Sequence, residues 1–209
     1  MITQANWYFD FISPYAYLQY KRFHLLPKTL NIAMSPVLFA GLLNHWDHKG
    51  PAEIPEKRFQ TYRHAEWLGK KLGIPLTTPT RHPFNPIRPL RLAIALGADE
   101  KTVTTIFDFI WGQGKDCQDD KEFALLVNGL GIENAEELIS APEVKSRLRD
   151  NTDKAIAEGV YGVPTFVAGG HLFWGQDNTD MFIEYLQKPE IMDTPNIQRL
   201  RDLPTGASR

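Results

Sequence analysis

The sequence predicts an α/β fold in which a small sheet with its own helices is interrupted by a long helical insertion. Three observations carry that prediction. An apolar run, Trp7-Tyr8-Phe9-Asp10-Phe11-Ile12, breaks at once into Ser13-Pro14-Tyr15-Ala16-Tyr17-Leu18, as a buried strand turning into a helix would. Between Pro55 and Glu158 no strand-like run occurs. Strand character then returns at Val160, followed by a Gly169-Gly170 turn and a second short apolar run.

The elements follow in order. Asn6 to Phe11 reads as a strand, and Ser13 to about Leu26 as a helix with Ser13 at the N-cap, Pro14 at the first helical position and Pro27 as its stop. Asn31 to Leu38 alternates well enough for a second strand, Pro36 notwithstanding. From Pro55 to Gly73 the residues Phe59, Tyr62 and Trp67 recur at roughly helical spacing, and Gly73 then Pro75 end the pattern. Further helices fit Pro86 to Leu96, Asp99 to Trp111, Lys121 to Leu130, Ala135 to Ile139 and Glu143 to Glu158. Val160 to Ala168 and His171 to Trp174 make a hairpin, and Asn178 to Leu186 closes as a helix. The order β-α-β, helices, β-β-α is that of a thioredoxin-like fold with a helical insertion domain. Residues 1–38 and 159–190 form the thioredoxin-like part, 39–158 the insertion, and 191–209 a loosely ordered tail.

Composition narrows the function classes. Hydrophobic content of 43% with 23% charged residues is ordinary for a soluble globular protein. A formal net charge of -2 gives no support to a nucleic-acid or acidic-membrane role. No apolar run is long enough to span a bilayer, and Met1-Ile2-Thr3-Gln4 has neither the basic nor the apolar region of a targeting signal. The single cysteine, Cys117, excludes an intramolecular disulfide and suits a reducing compartment. The expectation is a cytoplasmic enzyme or binding protein.

The strand-to-helix corner is where a thioredoxin-like protein keeps a Cys-x-x-Cys pair, and Ser13 and Ala16 hold those positions here. That leaves no redox pair for a disulfide oxidoreductase. Ser13 is most simply an N-cap, yet a helix N-terminus also favours an anion, and a serine hydroxyl can donate to a thiolate without forming a mixed disulfide. Pro164 is most simply a strand-edge proline, Asp177 or Asn178 a cap, and Asn85 a turn residue at a helix entrance. Arg88 and Arg91 are solvated helix charges or attract an anionic substrate. His45-Trp46-Asp47-His48 lacks the spacing of a helical metal pair, so no metal is expected. Cys117, without a partner, reads as an inert thiol.

Tyr8 to Leu18, Gly162-Val163-Pro164-Thr165-Phe166 and Phe173-Trp174-Gly175-Gln176-Asp177 together resemble the DsbA-like family. The similarity spans about residues 5 to 187 and points to the branch holding 2-hydroxychromene-2-carboxylate isomerases and kappa-class glutathione transferases. Gly50 to Arg58 and His82-Pro83-Phe84-Asn85-Pro86 look closer to the isomerases. The resemblance implies glutathione as cofactor, with Ser13 holding and activating its sulfur. It implies a cis Val163-Pro164 bond whose Val163 backbone pairs with the tripeptide, and Gln176 and Asp177 around the γ-glutamyl group. Asn44 or Lys49 would also reach glutathione. Asn85, Arg88, Phe11 and Tyr15 would line the site for a small aromatic carboxylate. The implied reaction converts 2-hydroxychromene-2-carboxylate to trans-o-hydroxybenzylidenepyruvate, with no net redox change and with relatives suggesting a homodimer. A kappa-type conjugating transferase and a non-catalytic thioredoxin-fold binder are the alternatives.

Overall fold

The computed structural model describes residues 2–206. In chain order its elements are β1 (Gln4–Phe9), α1 (Pro14–Tyr20), β2 (Asn31–Pro36), α2 (Phe39–His45) and α3 (Pro55–Leu72). Then come α4 (Ile87–Ala95), α5 (Glu100–Phe107), α6 (Asp120–Gly129), α7 (Ala135–Ser140) and α8 (Pro142–Ala157). The chain closes with β3 (Thr165–Ala168), β4 (His171–Trp174), α9 (Thr179–Gln187) and α10 (Pro195–Leu200). The sheet order is β2-β1-β3-β4; β1 is parallel to β2 and antiparallel to β3, and β3 is antiparallel to β4. This is the thioredoxin arrangement, with α2 to α8 inserted between its halves.

Local chemistry accounts for most boundaries. Pro36 closes β2 opposite Phe9 on an edge strand, where its missing N–H leaves no central ladder bond unmade. Pro55 and Pro142 occupy the first turns of α3 and α8, and Gly73 ends α3 with φ 67°. Asp99 caps α5 by accepting from Thr102 N–H, and Asp119 caps α6.

The structure also shortens several expected elements. β1 ends at Phe9, before Asp10 and Phe11, because the next peptides turn to side-chain partners: Ile12 N–H donates to Asp10 Oδ1. The first helix stops at Tyr20, and a 3₁₀ turn at Phe23–Leu25 swings the Phe23 ring onto Trp7, 4.8 Å between centroids. α5 ends at Phe107 and gives way to a π-helical turn at Asp108–Gly112. Val160 to Pro164 is not strand. Val160 N–H caps α8 by donating to Ala155 O, and its carbonyl accepts from Trp46 Nε1, so neither reaches the sheet. The tail carries order as well: Ile191 and Met192 pack on the core, and α10 is capped by Thr194.

One continuous core joins sheet and insertion. Trp7, Phe9 and Phe11 stack or cross with Phe107, and Leu90, Ile106, Trp111 and Phe182 belong to the same buried cluster. Not every periodic aromatic is inside. Phe59 and Trp67 on α3 are 62% and 52% exposed, lying along Arg63 and Lys71 instead. No helix among the described residues is long and apolar enough to cross a membrane.

Candidate active site

The site is built where β1 runs out. Ser13 is buried, in extended conformation, and its Oγ accepts the Ala16 N–H at 3.2 Å. Its own hydroxyl hydrogen is left free to donate. Pro14 has no N–H, and the Tyr15 N–H has no partner among the described residues. Donors therefore collect at this corner.

The main-chain carbonyls of Asp10, Phe11 and Ile12 are each held. Ser13 N–H donates to Asp10 O at 3.1 Å, Trp111 Nε1 to Phe11 O at 2.7 Å, and the Ile12 carbonyl accepts from His82 Nε2 at 2.8 Å. Asp10 is fully buried; its Oδ1 accepts from Ile12 N–H at 3.0 Å and its Oδ2 from Phe39 N–H at 2.9 Å. Burial pushes its carboxyl up to about 7, against the opposing pull of those two N–H groups. Asp10 thus ties the corner to the first residue of α2.

The distant segments converge on the same end of the sheet. Tyr8 pairs with Thr165, so Val163-Pro164 sits directly across from the start of the corner. The Val163-Pro164 bond is cis, as the resemblance implies, and so is His82-Pro83, which sequence reasoning missed. Among the described residues neither the N–H nor the C=O of Val163 has a hydrogen-bond partner. Pro164 O accepts from Gly175 N–H at 2.8 Å, which fastens the Gln176–Asn178 turn beside the proline. Gln19 of α1 reinforces that link: its Nε2 donates to Gly175 O and Thr179 Oγ1, while its Oε1 accepts from the buried Trp7 Nε1. Asp177 is exposed and has no ion-pair partner among the described residues, and the Gln176 side-chain amide has no partner either.

Ser13, Val163, Pro164, Gln176 and Asp177 are therefore brought together. Tyr15 joins them: burial, and secondarily the Asp177 charge, raise its hydroxyl pKa, and its OH pairs with His64 Nδ1 at 2.9 Å. Asn44 at the end of α2 and Lys49 just beyond it are exposed, and α2 itself is moored at both ends, through Phe39 to Asp10 and through Trp46 to Val160.

Three candidates lie differently. Phe11 is fully buried, its ring 4.7 Å from that of Phe107, so it supports the corner from the core side. Asn85 is a helix-entry residue in this structure: its Oδ1 accepts from Ile87 N–H and its own N–H donates to Gln118. Arg88 is committed elsewhere, bonded to Asp120 at 2.8 Å and Glu136 at 2.5 Å with its guanidinium 3.9 Å over the Phe123 ring. It borders a surface cavity of about 900 Å³ shared with Asp120, Phe123 and Glu136, and a second of about 460 Å³ lies beside Tyr17, Lys21 and Ile74. Neither contains a corner residue, so chemistry rather than volume locates the site.

Cys117 is buried at 1% exposure, and burial, with Asp116 and Asp10 near it, pushes its thiol up to about 12. With Ser13 and Ala16 at the corner, no thiol–disulfide chemistry is available there. Among the described residues no three His, Cys, Asp or Glu side chains gather as a metal site.

The residues that sequence reasoning did not assign are Asp10, Tyr62, His82 and Trp111. His82 and Trp111 reach the corner from 70 and 100 residues away. His82 does lie in the His-Pro-Phe-Asn-Pro motif, the one local signal that could have drawn notice.

Comparison with known proteins identifies the family and the fold. The DSBA-like thioredoxin domain family matches residues 5–187. A glutathione S-transferase kappa 2 of Caenorhabditis elegans is 28% identical, over 88% of this chain and 92% of its own length. A 2-hydroxychromene-2-carboxylate isomerase of Sphingobium xenophagum is 27% identical, over 89% of this chain and 99% of its own. A solved 2-hydroxychromene-2-carboxylate isomerase structure superposes with a TM-score of 0.79, covering 93% of this chain and 99% of that one at 24% identity, which speaks to the fold.

Proposed function

The chain belongs to the DSBA-like thioredoxin domain family, and on that premise we propose that it is a glutathione-dependent isomerase. Its substrate is 2-hydroxychromene-2-carboxylate or a close analogue, a small aromatic carboxylate. One observation carries the reading: a serine corner without a redox partner faces, across one end of the sheet, a Val163 main chain with both polar groups open.

The residues fit a γ-glutamyl tripeptide. Val163 offers one N–H and one C=O, the pair a short peptide needs to add as a strand. Asp177 offers an unpaired carboxylate for an ammonium group, and Gln176 a free amide beside it. Pro164 holds the Gln176–Asn178 turn through its carbonyl. Asn44 and Lys49 stand exposed at the end of α2 that Trp46 moors to Val160. Glutathione bound there supplies a nucleophilic sulfur.

The chain's own work is to hold charge and protons. The Ser13 hydroxyl and the Tyr15 N–H donate to the sulfur anion, and neither can be oxidised to a mixed disulfide. The raised pKa of Tyr15 keeps its hydroxyl protonated, so it donates to substrate oxygen, with His64 Nδ1 paired to the same hydroxyl. Asn85 borders the substrate on the loop that His82 ties to the corner.

The identity of 28% to a kappa transferase favours a second reading, in which the same sulfur site serves conjugation. Product analysis separates the two. Incubation with 2-hydroxychromene-2-carboxylate, with and without glutathione, is expected to give trans product while the glutathione concentration stays constant. Stoichiometric loss of glutathione into an adduct supports the transferase. Absence of binding at millimolar glutathione in a calorimeter overturns both.

A further inference from the structure

One chain of polar side chains in the insertion ends on the corner. His82 Nε2 lies 2.8 Å from Ile12 O. A carbonyl oxygen only accepts, so Nε2 carries the hydrogen and Nδ1 is the bare nitrogen. Nδ1 accepts the Tyr62 hydroxyl at 2.7 Å, shorter than that hydroxyl's 3.1 Å approach to His82 O. The Tyr62 oxygen in turn accepts from Arg58 Nε at 2.9 Å, and Arg58 Nη2 also donates to His82 O at 2.5 Å.

The three bonds run in one sense: Arg58 donates to Tyr62, Tyr62 to His82, and His82 to the carbonyl just before Ser13. Aligned bonds polarise one another, and this row starts on a permanent cation and presents its N–H end to the corner. The ring is otherwise enclosed by Trp111 and Phe84, at 5.3 and 5.7 Å between centroids, so Arg58 is the charged group that faces it. Burial lowers the His82 pKa against the opposing pull of the bond to Ile12 O, and the Arg58 charge adds to the lowering, so the neutral ring is favoured. Beside it, Trp111 Nε1 takes the preceding carbonyl, that of Phe11.

We propose that Arg58, Tyr62 and His82 form an oriented brace in which His82 is a positioning residue for the anion held at Ser13. The proposal rests on the glutathione reading above. Two carbonyl oxygens adjoin a site that must receive a negative charge, and each is occupied by a side-chain N–H from the insertion. Removing the donor at Ile12 returns a partial negative charge to the corner and frees its peptide to turn.

The readout is the ultraviolet absorbance of bound glutathione thiolate, titrated against pH on wild type, His82→Leu, His82→Gln and Tyr62→Phe. Wild type is expected to depress the thiol pKa below that of free glutathione. His82→Leu should raise it by about one unit, a tenfold loss of thiolate at pH below the midpoint, while Tyr62→Phe should raise it by about half a unit. His82→Gln, which keeps a donor, should recover part of the shift. Tyr62→Phe removes one oxygen at a half-buried position, and its titration alone decides the matter if His82→Leu does not fold. A purely structural role would lower melting temperature and active fraction while leaving the bound thiol titration in place. If wild type depresses the thiol pKa and folded Tyr62→Phe and His82→Leu do the same, the brace is wrong while the glutathione site stands. If wild type itself binds no thiolate, the glutathione reading falls and takes the brace with it.

Discussion

Replacing Ser13 by alanine separates a catalytic hydroxyl from a capping one, because the structure sets different sizes for the two losses. As a cap, Ser13 gives one hydrogen bond, to Ala16 N–H, and at 3.2 Å it is a long one. Losing such a cap costs about 1 kcal/mol. For a chain of this length that corresponds to a melting shift of roughly 2–4 °C. As a donor to a buried sulfur anion, the same hydroxyl is worth about 1.5–3 kcal/mol, since hydrogen bonds to charged groups are the stronger class. That converts to a loss of roughly 10- to 150-fold in kcat at fixed pH. The corner is otherwise held by Asp10, Trp111 and His82, so the variant keeps its backbone there. Initial rates on 2-hydroxychromene-2-carboxylate at saturating glutathione, set beside a thermal melt, make the comparison. A variant with wild-type turnover, or one whose activity loss tracks its unfolded fraction, refutes the role assigned to Ser13.

Three further outcomes are expected. Asp177→Asn should weaken glutathione binding about tenfold in a calorimeter with an unchanged melt, since Asp177 is exposed and unpaired; an equal affinity would remove it from the site. Gly175→Ala should cost about 1–3 kcal/mol in a denaturant titration and also weaken glutathione binding, because residue 175 has φ 93° and an added Cβ would collide with Asp177 Oδ1. A fully stable, fully binding variant would contradict that. Asp10 supplies a pH signature: its folded pKa of about 7 lies above the ordinary carboxylate value of about 4, so the folded state holds a proton that the unfolded state has released between those limits. Its stabilising contribution is complete below about pH 4 and is lost as pH rises through about 7, on the order of 4 kcal/mol at full expression. Denaturant melts from acid to neutral pH should therefore show wild type losing ground to Asp10→Asn as pH rises; a gap independent of pH would rule this out.

Much of this was written locally. The Ser13-Pro14 corner, the Asp99 cap, the Gly73 stop and the Gly169-Gly170 turn each follow from one or two residues whose backbone preferences need no distant partner. Where local preference and long-range partners disagreed, the partners won. Phe11 alternates like a strand residue, yet its carbonyl is taken by Trp111 and the chain leaves the sheet at Phe9. Val160 to Pro164 is apolar enough for a strand, but Trp46 and the end of α8 claim Val160. Arg88 sits next to a motif that suggests substrate, while two carboxylates 32 and 48 residues further on hold it. Such competition has no trace in spacing.

The sequence by itself determined the α/β class, the helical insertion and a serine in place of the cysteine at the strand-to-helix corner, because those depend on residue type, periodicity and chain order. It also excluded an intramolecular disulfide, since one cysteine cannot pair with itself. Only the tertiary structure decided what stands around Ser13: the open Val163 main chain, the Gln176–Asn178 turn held by Pro164, the buried Asp10, and the His82 row reaching in from the insertion. Hydrogen bonds such as Phe39 to Asp10 and His82 to Ile12, between groups 29 and 70 residues apart, are satisfied or lost by packing, and packing is a property of the whole chain.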